Sequence, residues 1–398
     1  MAQIIELDQQ EEEDSFVEVD AGLISAFYAF DTGITDYSVL NIRRNINGLI
    51  SETSSVIHEQ TGRGFFIRRI NPIFDIEAIN TNLRLLEEAQ VGVLEMLPTY
   101  WKPVRFYSVR GSDNRIFTDE DRNAWVLMDA IEGTVFNQLN DVPKDERYQI
   151  ASATGRGIAA FEHMVSVISQ DCWRKPLPNH RNLKYHFDYL MNVLNGNEVV
   201  LSMHRNGERV QRDEFVIATY FDRIQALCRI IDSCQDIANF QVQLGETIIH
   251  DDLKINNCIF QKVDGMWQLV SLVDLDTLGV GPALIDIADA IRSSGNPAGE
   301  QPENLDMIDP DIGIVDTIID EYLKQTDKYG LRKYPPDIRD RIYNTYQQVL
   351  YMLGIRFFAD ALVGNRYFKL KPGEPQDLNL YRAEVQFRLL TKLREKRK

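Results

Sequence analysis

The chain opens with the alternation of half-buried strands and turns helical further on. Within residues 22–70 the pattern reads as strands. Ser54-Ser55-Val56-Ile57-His58 and Gly64-Phe65-Phe66-Ile67-Arg68 flank Gln60-Thr61-Gly62, a hairpin signal. Residues 75–90 predict a helix, with Ile76, Ile79, Leu83 and Leu86 on one stripe. Trp125-Val126-Leu127-Met128 reads as a strand leading into Asp129-Ala130-Ile131-Glu132-Gly133. Beyond it, 144–169 opens at Pro143 with Asp145 and Glu146 in the first turn, a sound helix start. Helices follow over 213–236 and at about 314–327, 337–365 and 378–396. One hairpin interrupts them: Cys258-Ile259-Phe260 and Trp267-Gln268-Leu269-Val270 joined around Asp264-Gly265. The expected architecture is α+β and two-lobed. A flexible acidic start (1–20) precedes a small β-rich N-lobe (21–131) and a larger, mainly helical C-lobe (132–398).

Composition narrows the class without naming a function. At 398 residues, 44% hydrophobic and 26% charged, the chain reads as an ordinary soluble protein. No apolar run reaches 18 residues, so no membrane span is expected. Met1–Glu6 lacks the basic start and apolar core of a signal peptide. Cys172, Cys228, Cys234 and Cys258 match neither a zinc site nor a redox pair, and a reducing cytoplasm is the expected location. The net charge of −17 argues against a nucleic-acid binder, whose footprint is a basic face. Glu11-Glu12-Glu13-Asp14 reads as a solvated, frayed start. Lys392, Arg394, Lys396, Arg397 and Lys398 complement the dipole of a last helix.

The chemistry lies in His250-Asp251-Asp252-Leu253-Lys254-Ile255-Asn256-Asn257, which fits H-x-D-L-K-x-x-N, close to the phosphotransfer catalytic loop H-R-D-L-x-x-x-N. The hairpin follows at once, and its second strand ends in Val273-Asp274-Leu275-Asp276. Phosphoryl transfer needs positioning and charge neutralisation more than covalent work. Asp252 is the candidate to accept the proton of an attacking hydroxyl. Asn257 and Asp274 offer hard oxygens suited to Mg²⁺. Lys254 could offset charge on the γ-phosphate. His250 by itself reads as a structural histidine bonding the loop backbone. No G-x-G-x-x-G occurs, and Asn45-Ile46-Asn47-Gly48 is a degenerate phosphate loop at best. Arg68 or Arg69 stands where kinases place the strand lysine that steadies the phosphates. Alternation lets only one point inward, and Arg68 is preferred over Arg69. Glu77 and Glu87, possible partners for that arginine, read better as a solvated helix face.

These residues resemble the aminoglycoside phosphotransferase and choline kinase superfamily, and in detail its N-acetylhexosamine 1-kinase branch. That branch's D-x-K-x-x-N, I-D-L-D-T and D-F-G-D-A-I-R are similar to Asp252–Asn257, Val273–Thr277 and Asp286–Arg292. Its late G-x-R-F-L-x-D-Y-L-x-G-D-x-Y-F-K is similar to Gly354–Lys369. Weaker likeness at Arg69-Ile70-Asn71 and Gly155-Arg156-Gly157 extends the resemblance over most of the chain.

The resemblance implies a protein-kinase-like fold acting as a cytoplasmic, ATP-dependent sugar kinase, with Asp252 as base and Asn257 and Asp274 on magnesium. It implies that Asp286 braces the catalytic loop, that backbone around Met128, Asp129 and Ile131 holds adenine, and that Arg356 and Tyr367 contact the sugar. The branch's early G-H-I-N-x-T reads Gly48-Leu49-Ile50-Ser51-Glu52-Thr53, so Leu49 and Ser51 replace a histidine and an asparagine. The expected partners are ATP and a small-molecule acceptor, with no nucleic acid and no membrane. Two other functions compete: the same fold phosphorylating another small alcohol or an aminoglycoside antibiotic, and a pseudokinase that only binds. The intact Asp252, Asn257 and Asp274 argue against the second. The missing D-F-G and A-P-E elements argue against a protein kinase.

Overall fold

The computed structural model describes residues 3–5, 21–34, 40–45, 52–201, 208–240 and 244–397. Glu11–Asp14, Lys398 and the segment 46–51, with its phosphate-loop reading and Leu49 and Ser51, lie outside the described residues.

The N-terminal elements are β1 (Gln3–Ile5), α1 (Ala21–Ala29), β2 (Leu40–Asn45), β3 (Glu52–His58), β4 (Arg63–Ile70), α2 (Ile76–Val93), β5 (Ile116–Thr118), β6 (Ala124–Asp129) and β7 (Gly133–Val135). Five of these strands pair antiparallel in the order β2-β3-β4-β6-β5. The hairpin read around Gln60-Thr61-Gly62 is present, with Val56 opposite Phe65. Gly62 closes the turn at φ +67°, where a Cβ is strained. The expected helix over 75–90 is α2, capped by Asp75, whose Oδ1 accepts the amides of Glu77 and Ala78 at 3.0 and 3.2 Å. Ile79, Leu83 and Leu86 are buried as its stripe requires.

One expectation fails here. Within 22–70, read as strands, Ala21–Ala29 forms a helix. Leu23, Ala26, Phe27 and Phe30 sit at helical spacing and are buried against Val56, Phe65, Ile67 and Leu127, making a separate small core behind the sheet. Ile24 and Tyr28 on the other side blur the stripe, so apolar density passes for a strand.

The C-terminal elements are α3 (Lys144–Val165), α4 (Leu183–Leu194), β8 (Val199–Val200), β9 (Arg209–Val210), α5 (Glu214–Thr219), α6 (Phe221–Ser233), β10 (Glu246–Ile249), β11 (Cys258–Val263), β12 (Met266–Leu272), β13 (Gly279–Pro282), α7 (Ile285–Ser294), α8 (Ile312–Tyr329), α9 (Ile338–Leu362) and α10 (Leu378–Lys396). The region read as helical over 213–236 is split into α5 and α6 at Tyr220. The hairpin around Asp264-Gly265 is β11–β12. It joins β7 in a sheet that also takes in β1. β10 and β13 pair antiparallel and bracket the stretch from His250 to Leu278. Helix α7 was not foreseen. All ten of its residues are buried, its polar side included, because Asp286, Asp289 and Arg292 are engaged by the loop and by one another. The main core runs from α2 and β6 through α3, α7 and α9 to α10.

Glycines set the closest approach in that core. A Cβ on Gly155 of α3 would lie 2.4 Å from the Ile318 carbonyl and 2.9 Å from the Tyr322 amide of α8. Gly157 meets the Leu269 side chain of β12 at 2.8 Å in the same way. The Gly-Arg-Gly of α3 is therefore a packing device between α8 and the hairpin. Alanine normally favours a helix interior over glycine by about 1 kcal/mol. Here backbone must move to admit it, so Gly155→Ala is expected to lower stability by roughly 1–3 kcal/mol, read as a lower denaturant midpoint in equilibrium unfolding.

Candidate functional site

β10 delivers the chain to the buried His250, two residues before Asp252, which lines a cavity between the sheet-rich and helical parts. The turn there is held from beneath. The buried carboxylate of Asp286, in the first turn of α7, accepts the His250 amide at 2.7 Å and the Asp251 amide at 2.9 Å. Asp251 adopts φ +66°, a left-handed conformation that aspartate tolerates better than most residues. Its side chain accepts Arg181 Nε at 2.7 Å and meets His180 Nδ1 at 3.0 Å. Arg181 also reaches Asp289 at 2.8 Å, Arg292 reaches Asp289 at 2.6 Å, and Arg292 reaches Glu300 at 2.6 Å. Alternating charges thus lock the loop to α7. The His250 ring meets the Val273 carbonyl at 2.9 Å, which ties the loop to the end of β12 and gives the histidine the structural role read from sequence.

Asp252 projects into the cavity from this fixed turn, with its side chain 29% exposed. Lys254 Nζ lies 3.0 Å from Asp252 Oδ2. Asn257 Nδ2 donates to the Asp252 carbonyl at 2.7 Å and to Oδ2 at 3.2 Å. Burial works against the charge on Lys254, yet Asp252, Glu300 and Asp274 outweigh it and hold the ammonium protonated. Asp274 follows β12 at φ +66°. Arg68 of β4 donates from Nη1 to Asp274 at 2.6 Å and lies 3.3 Å from Asp276, while its Nε donates to Thr53 at 3.2 Å. Two carboxylates converge on one positive charge. Burial favours the neutral acid at Asp274, but Arg68 and Lys254 outweigh it and hold the carboxyl below its usual range.

Alternation puts Arg68 inward and Arg69 outward, where it meets Glu52 at 3.3 Å. Glu87 is no solvated residue: it binds Arg115 at 2.6 Å and accepts the Phe106 amide at 3.0 Å. On the opposite wall Arg356 of α9 lies 3.2 Å from the Tyr367 hydroxyl. Asp360 fixes the turn that carries Tyr367, accepting the amides of Tyr367 and Phe368 at 2.7 and 2.9 Å.

Six of the residues singled out from the sequence, Arg68, Asp252, Lys254, Asp274, Arg356 and Tyr367, line this one cavity of about 850 Å³, partly open to solvent. Asn257 stands behind Asp252. Met128, Asp129 and Ile131 lie instead at the end of β6 and just beyond it, and are not among the cavity's lining residues. The amides of Asp129 and Ala130 are taken by the Arg105 and Gly64 carbonyls at 3.1 and 3.0 Å.

The family model for the phosphotransferase enzyme family matches residues 43–308. The chain belongs to the phosphotransferase enzyme family. Among solved structures, choline kinase from Cryptosporidium parvum superposes with a TM-score of 0.52 at 11% identity, covering 94% of each chain. Plasmodium vivax ethanolamine kinase gives 0.50 at 14%, covering 89% of this chain and 83% of its own. The GDP complex of aminoglycoside 2'-phosphotransferase-IIIa gives 0.50 at 12%, covering 92% and 98%. The kinase-like fold expected from sequence is therefore present. Among the described residues no helix is long and apolar enough to cross a membrane.

Several site residues of this family member escape sequence reasoning. His180 and Arg181 lie about seventy residues from the loop they hold, with no local pattern to announce them. Glu300 and Asp276 come to the cavity through irregular backbone. Asp286, by contrast, braces the loop as the resemblance implied.

Burial raises the Asp286 carboxyl to about 7, against the opposing pull of His250 and the two amides it binds. In the unfolded chain it ionises near 4. Between those values the folded form holds the extra proton, so this group's contribution to stability falls as pH rises from about 4 to about 7, then levels. Asp286→Asn cannot titrate. Chemical unfolding across that window is expected to show the wild type losing stability relative to the variant as pH rises; parallel curves would contradict the buried-acid reading.

Proposed function

We propose that this protein is an ATP-dependent small-molecule kinase that moves the γ-phosphoryl group onto a sugar hydroxyl, the anomeric hydroxyl of an (N-acetyl)hexosamine. One observation carries the reading: Asp252, Lys254, Asp274 and Arg68 meet around a cavity whose far wall is Arg356 and Tyr367. In this reading Asp252, steadied by Asn257, accepts the proton of the attacking hydroxyl. Lys254, shared between Asp252 and Asp274, balances charge as the phosphoryl group moves between them.

The donors fit magnesium. Among the described residues no group of three or more His, Cys, Asp or Glu could hold a metal ion. Asp274 and Asn257, with Asp276 beside them, supply two carboxylates and an amide, a hard-oxygen set that leaves positions for phosphate oxygens and water. Asp274 and Asn257 would hold the ion, which when bound neutralises charge on the β- and γ-phosphates. Arg68, which now meets both carboxylates, would be the basic side chain free to meet the phosphates once the ion took its place. The adenine lies against Met128, Asp129 and Ile131. Since the two preceding amides are engaged, Ile131 N–H is the donor for the base.

The structural neighbours named as choline, ethanolamine and aminoglycoside kinases support an alcohol acceptor of some kind. A quaternary ammonium needs free aromatic faces. The rings of Tyr367 and Phe368 are taken by the Arg356 guanidinium, 5.5 Å from each centroid. That favours a hydroxylated ring over choline.

The decisive experiment is a panel of sugars, amino alcohols and aminoglycosides with ATP and Mg²⁺, following ADP release and locating the phosphate by phosphorus NMR. Phosphorylation of a hexosamine at the anomeric oxygen is expected. Transfer only to an amino alcohol or antibiotic would replace the sugar reading, and no transfer to any acceptor would favour a pseudokinase. Asp252→Asn is expected to keep MgATP affinity while turnover falls about 10²-fold or more. Near-normal turnover would remove Asp252 as the base. Asp274→Ala is expected to abolish turnover and weaken MgATP binding, since the ion would lose one of the two carboxylates offered to it. Unchanged affinity by calorimetry would show that Asp274 is not a ligand.

A further inference from the structure

The cavity is lined by five basic and five acidic side chains, and they are not evenly matched. Arg68 bridges to Asp274 and Asp276, Lys254 to Asp252, Arg181 to Asp289 and Arg292 to Asp289 and Glu300. Arg356 alone among the five has no carboxylate within ion-pair distance among the described residues. It is only 8% exposed. Its polar contact is the Tyr367 hydroxyl at 3.2 Å, with the Tyr367 and Phe368 rings beside it.

Asp360 lies one turn along α9 on the same side, near enough for the two charges to feel each other but not in ion-pair contact. Its oxygens serve the amides of Tyr367 and Phe368 and the Asn379 side chain at 3.1 Å. The nearby imidazoles cannot compensate. Burial, and then the charge on Arg356, drives His186 down to about 3, so it is neutral. Burial likewise lowers His180, against the pull of Asp251.

A buried guanidinium without a direct ion pair is costly, and a buried cation normally finds one. We propose that the acceptor supplies it: the substrate is a sugar carrying a negatively charged group, a carboxylate on the ring or on its substituent, which Arg356 clasps with its planar fork. The chemistry suits the side chain, because guanidinium and carboxylate match two hydrogen bonds to two oxygens. The other lining cations are already neutralised, so an anion is drawn to the Arg356 wall and away from the Asp252 carboxylate. The hydroxyl to be phosphorylated is thereby turned toward Asp252 across the cavity. This inference rests on the sugar-kinase reading and narrows it to acidic sugars.

The test uses matched pairs that differ only in oxidation at one carbon: N-acetylglucosamine against N-acetylglucosaminuronic acid, and N-acetylgalactosamine against N-acetylgalactosaminuronic acid, each with MgATP. For the wild-type chain kcat/KM is expected to favour the acid by about 10-fold to 100-fold, the worth of a charge-assisted contact. Arg356→Gln is expected to collapse that ratio toward one, lowering the acid far more than the neutral sugar, and Arg356→Lys to retain part of it. Without acceptor, Arg356→Gln is expected to melt no lower than wild type, since it removes an uncompensated charge. A clear drop in melting temperature would mark Arg356 as a packing residue and overturn the inference. Neutral sugars turned over as well as the acids, with the ratio unmoved by Arg356→Gln, would overturn it too while leaving the sugar-kinase reading intact. If no sugar of either kind is phosphorylated, the sugar reading fails and this inference falls with it.

Discussion

The site depends on one buried carboxylate. Asp286 takes the amides of His250 and Asp251 together, and so sets the direction in which the chain leaves β10. That turn aims Asp252 outward and Asp251 inward. A free buried carboxylate would be costly, and two amide donors lower that cost. From Asp251 a series of charges runs through Arg181, Asp289 and Arg292 to Glu300. Each member is compensated by its neighbours. Removing one leaves its partner buried and unpaired, which typically costs about 3–5 kcal/mol. The rigidity of the loop is therefore distributed over α7 and the segment before α4. Asp252, the proposed proton acceptor, is mounted on this frame.

The same logic explains where the sequence was readable. The loop, the Asp264-Gly265 hairpin and the aspartate that follows lie within twenty-five residues, so local rules of turn and strand reach all three. The long helices announced themselves by period and caps, as α2 did through Asp75. Alternation allows only one of Arg68 and Arg69 to point inward, and Arg68, the one preferred from sequence, is the one that lines the cavity. Its partners could not be chosen. The pairing with Asp274 spans 206 positions, and no pattern in either strand encodes it. α1 was read as a strand because apolar residues crowd both of its sides, which leaves little amphipathic contrast to read. α7 spans only ten residues, and its charged positions were read for their chemistry and not for their helical spacing. The roles of the site residues came from resemblance, while their convergence came from the fold.

Overall charge and site charge are decoupled. The chain carries −17, yet the cavity holds as many basic as acidic side chains. The excess acid sits elsewhere, where solvent screens it. Inside, the carboxylates that would meet a metal are already paired with Arg68, so a cation bound there replaces a cation. Under the proposed function, binding of a metal–nucleotide would be an exchange of partners more than a filling of empty space. Arg356 is the exception, a positive charge with aromatic company and no acid in ion-pair contact among the described residues.

The central claim is that Asp274 and Asn257 make this cavity a magnesium–nucleotide site. Calorimetric titration of the wild-type chain with ATP, in the presence and absence of Mg²⁺, tests it most directly. Binding is expected to be tighter with the metal by roughly tenfold or more, about 1.4 kcal/mol. Equal affinity under the two conditions would contradict the claim, since it would mean that nucleotide binds without engaging these carboxylates.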